Sequence, residues 1–429
     1  MRLSIILGSL TGLNLCLTFL FQWYLLTKLG PGTETDAFFA GMIFPQLALT
    51  VLSGSLIHVL VPLLAIEGKD SFSRTSWGFL QYLGILLGVL ALLLSFTAPF
   101  WVSWVVPGFD SQTKILTVLL TQIQLAGMVF TGPATVLTAA YHAQQRFIWA
   151  SGSGVLATFL AFLFLFFGLP HLGIRAAAWT MVLKSVLQTL FLIPGIGPYY
   201  RPEIRNPAIQ KAWRQIRPLL LGTSFYKTDQ ILDRFLASMT PMGGISLLHL
   251  AQQIYGAGNQ ILNSAIAAPM VPLLSQKAHK QDWKSYLQIS KGRLLTITTL
   301  SIFAFLFLWI WGQEILHLLF GFGRFRAEEV HKLWWILMAL VGVLIGGAMG
   351  QVLSTSFYAR GETVVPTKIG VLGFSLGIGF KVLGFYLGGI IGMALGTSVY
   401  YFLNVFLLRW ALSKHHRILL EGGKQTPHV

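Results

Sequence analysis

Apolar residues along this chain come in long unbroken runs, not in the short alternating or amphipathic patterns of a soluble fold. The runs lie at about 4–27, 36–64, 78–105, 115–141, 148–169, 173–195, 216–238, 244–274, 294–319, 333–358, 365–387 and 389–412. A helix needs roughly 20 apolar residues to cross a bilayer, so the pattern predicts about twelve transmembrane helices. The second run organises the rest. Asp36 stands at its mouth, Gly41, Pro45 and Gly54 loosen its middle, and it closes on Val61-Pro62-Leu63-Leu64. A tilted or bent spanning helix fits those residues. The same ending, Val271-Pro272-Leu273-Leu274, closes the eighth run at an offset of 271 − 61 = 210.

The echo continues. Val136 to Leu156 aligns without gaps on Val352 to Leu372, an offset of 352 − 136 = 216. Val136, Leu137, Ala143, Gly154, Val155 and Leu156 are matched by Val352, Leu353, Ala359, Gly370, Val371 and Leu372. Gly173-Ile174 pairs with Gly389-Ile390 at the same offset. The matches fall on spans of the same rank in each half, which predicts a duplication of six helices. The expected fold is an all-α polytopic membrane protein of two pseudo-symmetric six-helix bundles. The first bundle covers 1–197 and a basic cytoplasmic linker 198–215. The second covers 216–413, and a cytoplasmic tail takes 414–429. Six spans per copy make the copies parallel, with a cavity expected between them near the midplane and alternating access as the way of working.

Composition agrees. Hydrophobic residues make up 55% and charged residues 10%, against about 25% charged in a soluble chain. The net charge of +16 would suit nucleic acid, but the basic residues sit in short loops between apolar runs and not on one patch. About twenty Lys and Arg fall in the loops on one side and about six on the other, which puts both termini in the cytoplasm by the positive-inside rule. Cys16 is the only cysteine, so no intrachain disulfide and no cysteine metal set can form. The first run is too long for a signal peptide and reads as a retained span. No phosphate-cradling Walker loop occurs, which argues against direct ATP drive. No metal, cofactor or catalytic residue is expected.

Charges inside spans cost about 2.5–3.5 kcal/mol each on insertion scales and mark function or ion pairing. They are Lys184, Lys227, Asp229, Asp233, Arg234 and Lys381. Asp229 and Asp233 fall about 40° apart around the seventh helix, and Lys227 and Arg234 about 20° apart on another face. Such a helix lines a cavity or holds the bundle by ion pairs. Gln252 and Gln253, one turn after His249 in the eighth run, either line a cavity or tie helices together.

Several stretches resemble a family. Thr35-Asp36-Ala37-Phe38-Phe39 with a nearby Pro and a closing Val-Pro-Leu is similar to the second helix of MurJ/MviN-type lipid II flippases. Ile231-Leu232-Asp233-Arg234-Phe235-Leu236-Ala237-Ser238 resembles their seventh helix. Phe357-Tyr358-Ala359-Arg360-Gly361-Glu362-Thr363 with Pro366 resembles their tenth-to-eleventh loop. The resemblance implies a flippase for a lipid-linked oligosaccharide, working in the bilayer as a monomer. A cation-coupled multidrug exporter of the same superfamily is the alternative. Twelve spans are two fewer than such flippases usually carry. Their arginines in helices one, two and eight are also absent here. Asn14 and Gln22, Gln46 and Thr50, and Ala251-Gln252-Gln253 stand in those helices. The substrate cavity is therefore expected to use Lys227, Arg234, Lys184 and Arg175 as cations, Gln252 and Gln253 for the glycan, and Asp36 as either a helix cap or an outer gate. The resemblance also bears on ion coupling. Sodium-binding members place an Asn and an Asp on the eleventh helix opposite a seventh-helix carboxylate. Counting from Pro366, those positions fall on Gly377 and Lys381, and the carboxylate is Asp233. A lysine then stands in a cation site, which implies an Asp233–Lys381 salt bridge and no sodium dependence.

Overall fold

In bilayer hydrocarbon a chain must satisfy every backbone polar group internally, and a helix does so within itself. The computed structural model describes residues 2–201, 213 and 228–422, and is helical almost throughout them. Most of the expected linker, the first part of the seventh run with Lys227, and the end of the tail lie outside the described residues. The chain divides into two compact units, Met1–Ser246 and Leu247–Val429.

The first unit contains α1 (Arg2–Leu29), α2 (Thr33–Gly41), α3 (Ile43–Ala65), α4 (Lys69–Val105), α5 (Ser111–Ala143), α6 (Phe147–Leu172), α7 (Ile174–Leu192) and α8 (Asp229–Ser238). The second begins within α9 (Gly244–Leu262). A π turn (Asn263–Ala267) follows, and then α10 (Ala268–His279), α11 (Trp283–Phe320), α12 (Ala327–Ala339), α13 (Val341–Tyr358) and α14 (Val364–Gly422).

Eight helices among the described residues are long and apolar enough to cross a membrane. The expected twelve runs differ from those eight at four places, and three of these have a local cause. The second run breaks at Met42, because Pro45 has no N–H to give the Gly41 carbonyl; the helix restarts with Gln46 N–H donating to the Met42 carbonyl at 2.9 Å. The eighth run is interrupted by the π turn just before Pro269 and Pro272. The eleventh and twelfth runs are two helices joined without a loop at Gly388 and Gly389, where the chain doubles back and brings Gly392 against Gly384 and Gly396 against Phe380, so both expected spans are present there. The seventh is only partly described.

The same local solutions recur in each unit at the offsets read from the sequence. Leu56, Leu60 and Leu64 are core residues of the first unit. Ile266, Met270 and Leu274 are core residues of the second, each at the offset of the Val-Pro-Leu-Leu pair. After α5, Arg146 N–H donates to the Tyr141 carbonyl and Gln145 N–H to that of His142, with Gln145 at φ +60°. After α13, Glu362 N–H donates to Phe357 and Gly361 N–H to Tyr358, with Gly361 at φ +76°. Both are helix C-caps closed by a left-handed residue, and they stand at the larger of the two offsets. Gly173 (φ 56°, ψ −144°) and Gly389 (φ 57°, ψ −137°) share a backbone conformation that only glycine adopts readily. The described segments thus carry the duplication down to single dihedral angles.

Close helix packing recurs too. A Cβ on Gly127 would lie 3.2 Å from the Val182 Cα, and one on Gly342 only 2.4 Å from the Ser398 Cα. Ser398 also bridges the break between α12 and α13, accepting from Gly342 N–H at 2.9 Å and donating to the Ala339 carbonyl at 2.5 Å. Elsewhere in the second unit, Asp282 caps α11 through Ser285 N–H. The Lys277 ammonium, 2.9 Å away, holds its carboxyl down at about 2.

These contacts set the first test. Gly342→Ala should lower stability by about 1–3 kcal/mol, the usual cost of overpacking. Gly350→Ala, two turns further along α13 with open space around it, should be neutral or stabilising by up to ~1 kcal/mol through helix propensity. Thermal unfolding of both variants in detergent checks the contrast.

Candidate functional site

A helix leaves its first N–H groups without intrahelical partners. At α9 the preceding residues are Pro241-Met242-Gly243, and none offers a side-chain acceptor as an N-cap would. The acceptor comes from α2. Asp36 Oδ2 accepts from Gly243 N–H at 2.7 Å, and Oδ1 accepts from Ser246 N–H at 2.7 Å and from the Ser246 hydroxyl at 2.6 Å. Asp36 is 3% exposed. A buried carboxylate thereby spends its charge on three donors and on the positive end of the α9 dipole. The start of α2 itself is served by Thr35, whose hydroxyl accepts from Gly32 N–H and donates to the Gly30 carbonyl, both at 2.9 Å. Asp36 is therefore free to serve a helix some 207 residues away.

The surrounding segments close on the same place. Gly108 N–H donates to the Ser238 hydroxyl at 3.3 Å, and the Thr33 hydroxyl lies 3.2 Å from the Met242 sulfur. Asp233 and Arg234, in the middle of α8, are 4% and 5% exposed. The Arg234 guanidinium feels the negative charge of both Asp233 and Asp36. One cation and two carboxylates thus share this end of the unit.

The other residues singled out in the sequence are distributed differently. Lys184 is half-buried on α7, and Asp229 is half-buried at the start of α8. Arg175 is exposed at the start of α7. Gln252 and Gln253 are half-buried on α9, about two turns after Ser246, and His249 between them and Ser246 is buried. Lys381 is 1% exposed on α14. Lys227 lies outside the described residues. On α1, Asn14 accepts from the Thr158 hydroxyl at 2.9 Å, which makes it an interhelical tie. Gln22 is 5% exposed.

Comparison with known proteins bears on what this arrangement serves. The family model described as lipid II flippase MurJ matches residues 25–426. The chain belongs to the lipid II flippase MurJ family. A lipid II flippase MurJ of Burkholderia cenocepacia is 23% identical over 360 residues, covering 80% of this chain and 70% of that one. Among solved structures, lipid II flippase MurJ in an inward closed conformation superposes with a TM-score of 0.83 at 19% identity, over 95% of this chain and 87% of that one. An inward-facing multidrug resistance MATE family transporter of the MOP superfamily superposes with a TM-score of 0.79 at 15% identity, over 97% and 99% of the two chains. At such identities the structures speak for the fold, and the family model speaks for membership.

Sequence reading singled out Asp36 but missed its partners, Gly243 and Ser246. A signal was present. The α9 helix opens on Gly-Gly with no capping residue before it, and an uncapped helix start in a MurJ-family membrane protein must borrow an acceptor from elsewhere. Asp36→Asn keeps one acceptor oxygen but removes the charge. If the contact must close and open, this variant should lose transport in reconstituted vesicles while its unfolding temperature shifts by only a few degrees. Normal transport by Asp36→Asn would reduce Asp36 to a helix cap.

Proposed function

We propose that this chain is a flippase that carries a lipid-linked, pyrophosphate-bearing oligosaccharide across the bacterial cytoplasmic membrane, with lipid II as the first candidate. Membership of the MurJ family over residues 25–426 carries the reading. Its chemistry is transport, with no bond made or broken in the substrate. The geometry adds a device suited to alternating access. The Asp36 clamp is built only from hydrogen bonds between a side chain and a helix start, and hydrogen bonds of that kind exchange with water at small net cost. In the topology proposed from the loop charges, with both termini in the cytoplasm, the clamp lies on the outer side. There it acts as the outer gate.

The fold is shared with MATE transporters, so a multidrug exporter is the second reading. Complementation separates the two. The chain should rescue growth of a strain depleted of its lipid II flippase. Failure there, with rescue of a polysaccharide-export mutant, would move the substrate to another polyprenyl-pyrophosphate glycan. Protection against cationic drugs with neither rescue would favour the exporter. From the register of Lys381 in the eleventh run we also propose that transport needs no sodium. Replacing sodium by choline in the vesicle assay should leave the rate unchanged within about twofold, because a tethered ammonium replaces the free cation.

A further inference from the structure

Lys184 stands at the middle of a membrane span. The helical stretch Ile174–Ile196 has 23 residues, and Lys184 is the eleventh of them (184 − 174 + 1 = 11). At 1.5 Å per residue it lies about 15 Å from either end, the centre of a hydrocarbon layer about 30 Å thick. A lysine near a helix end lifts its ammonium to the interface, and from the centre it cannot. A charge at this depth persists in proteins that use it.

The side chain does not look into lipid. Trp179 and Leu190, 46% and 55% exposed, mark the lipid face of α7. At about 100° per residue Lys184 lies roughly 120–140° round the helix from them. Gln188, one turn on, lies roughly 160–180° round. The flanks of α7 are filled. Val182 packs against Gly127 of α5, the Thr189 hydroxyl donates to the Phe130 carbonyl at 3.1 Å, and Ala176 packs on Gly168 of α6. Lys184 is half-buried, on a part of α7 turned away from Trp179 and Leu190. Gln188 supplies an amide beside it, its nitrogen 3.8 Å from where a Cβ on Gly154 would stand.

Its counter-charge is the remaining question. Among the described residues Lys184 has no hydrogen bond or ion pair. Three acids of the same unit are committed elsewhere. Asp36 is held by the start of α9, Asp110 caps α5, and Glu67 takes the hydroxyls of Ser71 and Thr75. A mid-membrane cation without a partner among the described residues is suited to an anion that arrives and leaves.

We infer that Lys184, assisted by Gln188, holds a phosphate group of the transported lipid. The inference rests on the flippase reading and names the group that meets the substrate's charge. Phosphate could come from the pyrophosphate of a lipid-linked substrate or from an anionic phospholipid headgroup, and the test separates them. Wild type, Lys184→Gln and Lys184→Arg are purified into nanodiscs of zwitterionic lipid. Binding of a polyprenyl pyrophosphate and of phosphatidylglycerol is titrated, and the unfolding temperature of each protein is recorded. Wild type should prefer the pyrophosphate lipid. Lys184→Gln should bind it at least ~10-fold more weakly, the loss expected for one charge-assisted hydrogen bond, while unfolding at the same or a higher temperature. Lys184→Arg should stay within a few-fold of wild type. Equal binding by Lys184→Gln overturns the inference, and so does weakened binding accompanied by a clear fall in unfolding temperature, which marks a structural lysine. Equal wild-type affinity for phosphatidylglycerol overturns it in favour of a headgroup site. If wild type binds no pyrophosphate lipid, the substrate reading falls, and this assignment falls with it.

Discussion

The start of a helix is the most exposed liability a membrane protein carries, because its first N–H groups need acceptors and lipid provides none. In this chain that requirement, at Gly243 and Ser246, is met by one carboxylate from α2. Much of the first unit's organisation follows. Asp36 must be buried to reach the α9 donors, so α2 must be short and rigid. Thr35 closes its start, and Gln124 of α5 donates to the Phe38 carbonyl at 3.2 Å. The break at Met42 lets the rest of the run leave at its own angle, so that Leu56, Leu60 and Leu64 can enter the core formed with α4 and α5. Arg234 offsets the buried negative charge, since a carboxylate at this depth is unfavourable without compensation.

A contact of this kind is suited to cycling. A hydrophobic seal would resist opening in proportion to its buried area, whereas hydrogen bonds to a charged acceptor are directional and are replaced by water once the site is wet. The cost of the open form then lies in exposing a helix start and a carboxylate, and both hydrate readily.

Much of the fold was legible in the sequence because lipid imposes it. A long apolar run without frequent charge has few options besides a spanning helix. Pro45 announced a bend in the second run, whereas the eighth read as one span and its interruption by the π turn before Pro269 and Pro272 came only from the structure. The duplication was readable from Val136–Leu156 and its match in the second half, and Gly173 and Gly389 carry it in their backbone angles. Long-range partners were not readable. Nothing local to Asp36 says that its carboxylate turns to a helix start 207 residues away and not to its own. Asp233 and Arg234 read first as cavity charges and second as an ion-pair set, and only the charge interaction of Arg234 with Asp36 brings it near the clamp. Gln22 and Asn14 looked alike as polar residues of one span, yet Asn14 is a tie to Thr158. The difference lies in which neighbouring helix each one faces.

The two copies are not equal in length, and the difference is confined. The cores of the second and eighth runs correspond at an offset of 266 − 56 = 210, while the ends of α3 at Ala65 and α10 at His279 differ by 279 − 65 = 214. The excess of 214 − 210 = 4 is close to one helical turn, so the second copy is extended without rotating its buried face away from the core. The added turn brings Lys277, His279 and Lys280 to a helix end where the first copy has Glu67, Lys69 and Asp70. In the proposed topology both ends meet the cytoplasmic leaflet, whose anionic lipids attract each nearby lysine by about 1 kcal/mol. Lys277 is already given to Asp282, which leaves Lys280 and Lys284 for the headgroups. Four of the six residues by which the offset grows from 210 to 216 thus lie at this helix end, which carries Lys277 and Lys280 where the first copy carries Glu67 and Asp70. In the proposed topology the second copy therefore presents the more basic of the two ends to the anionic leaflet.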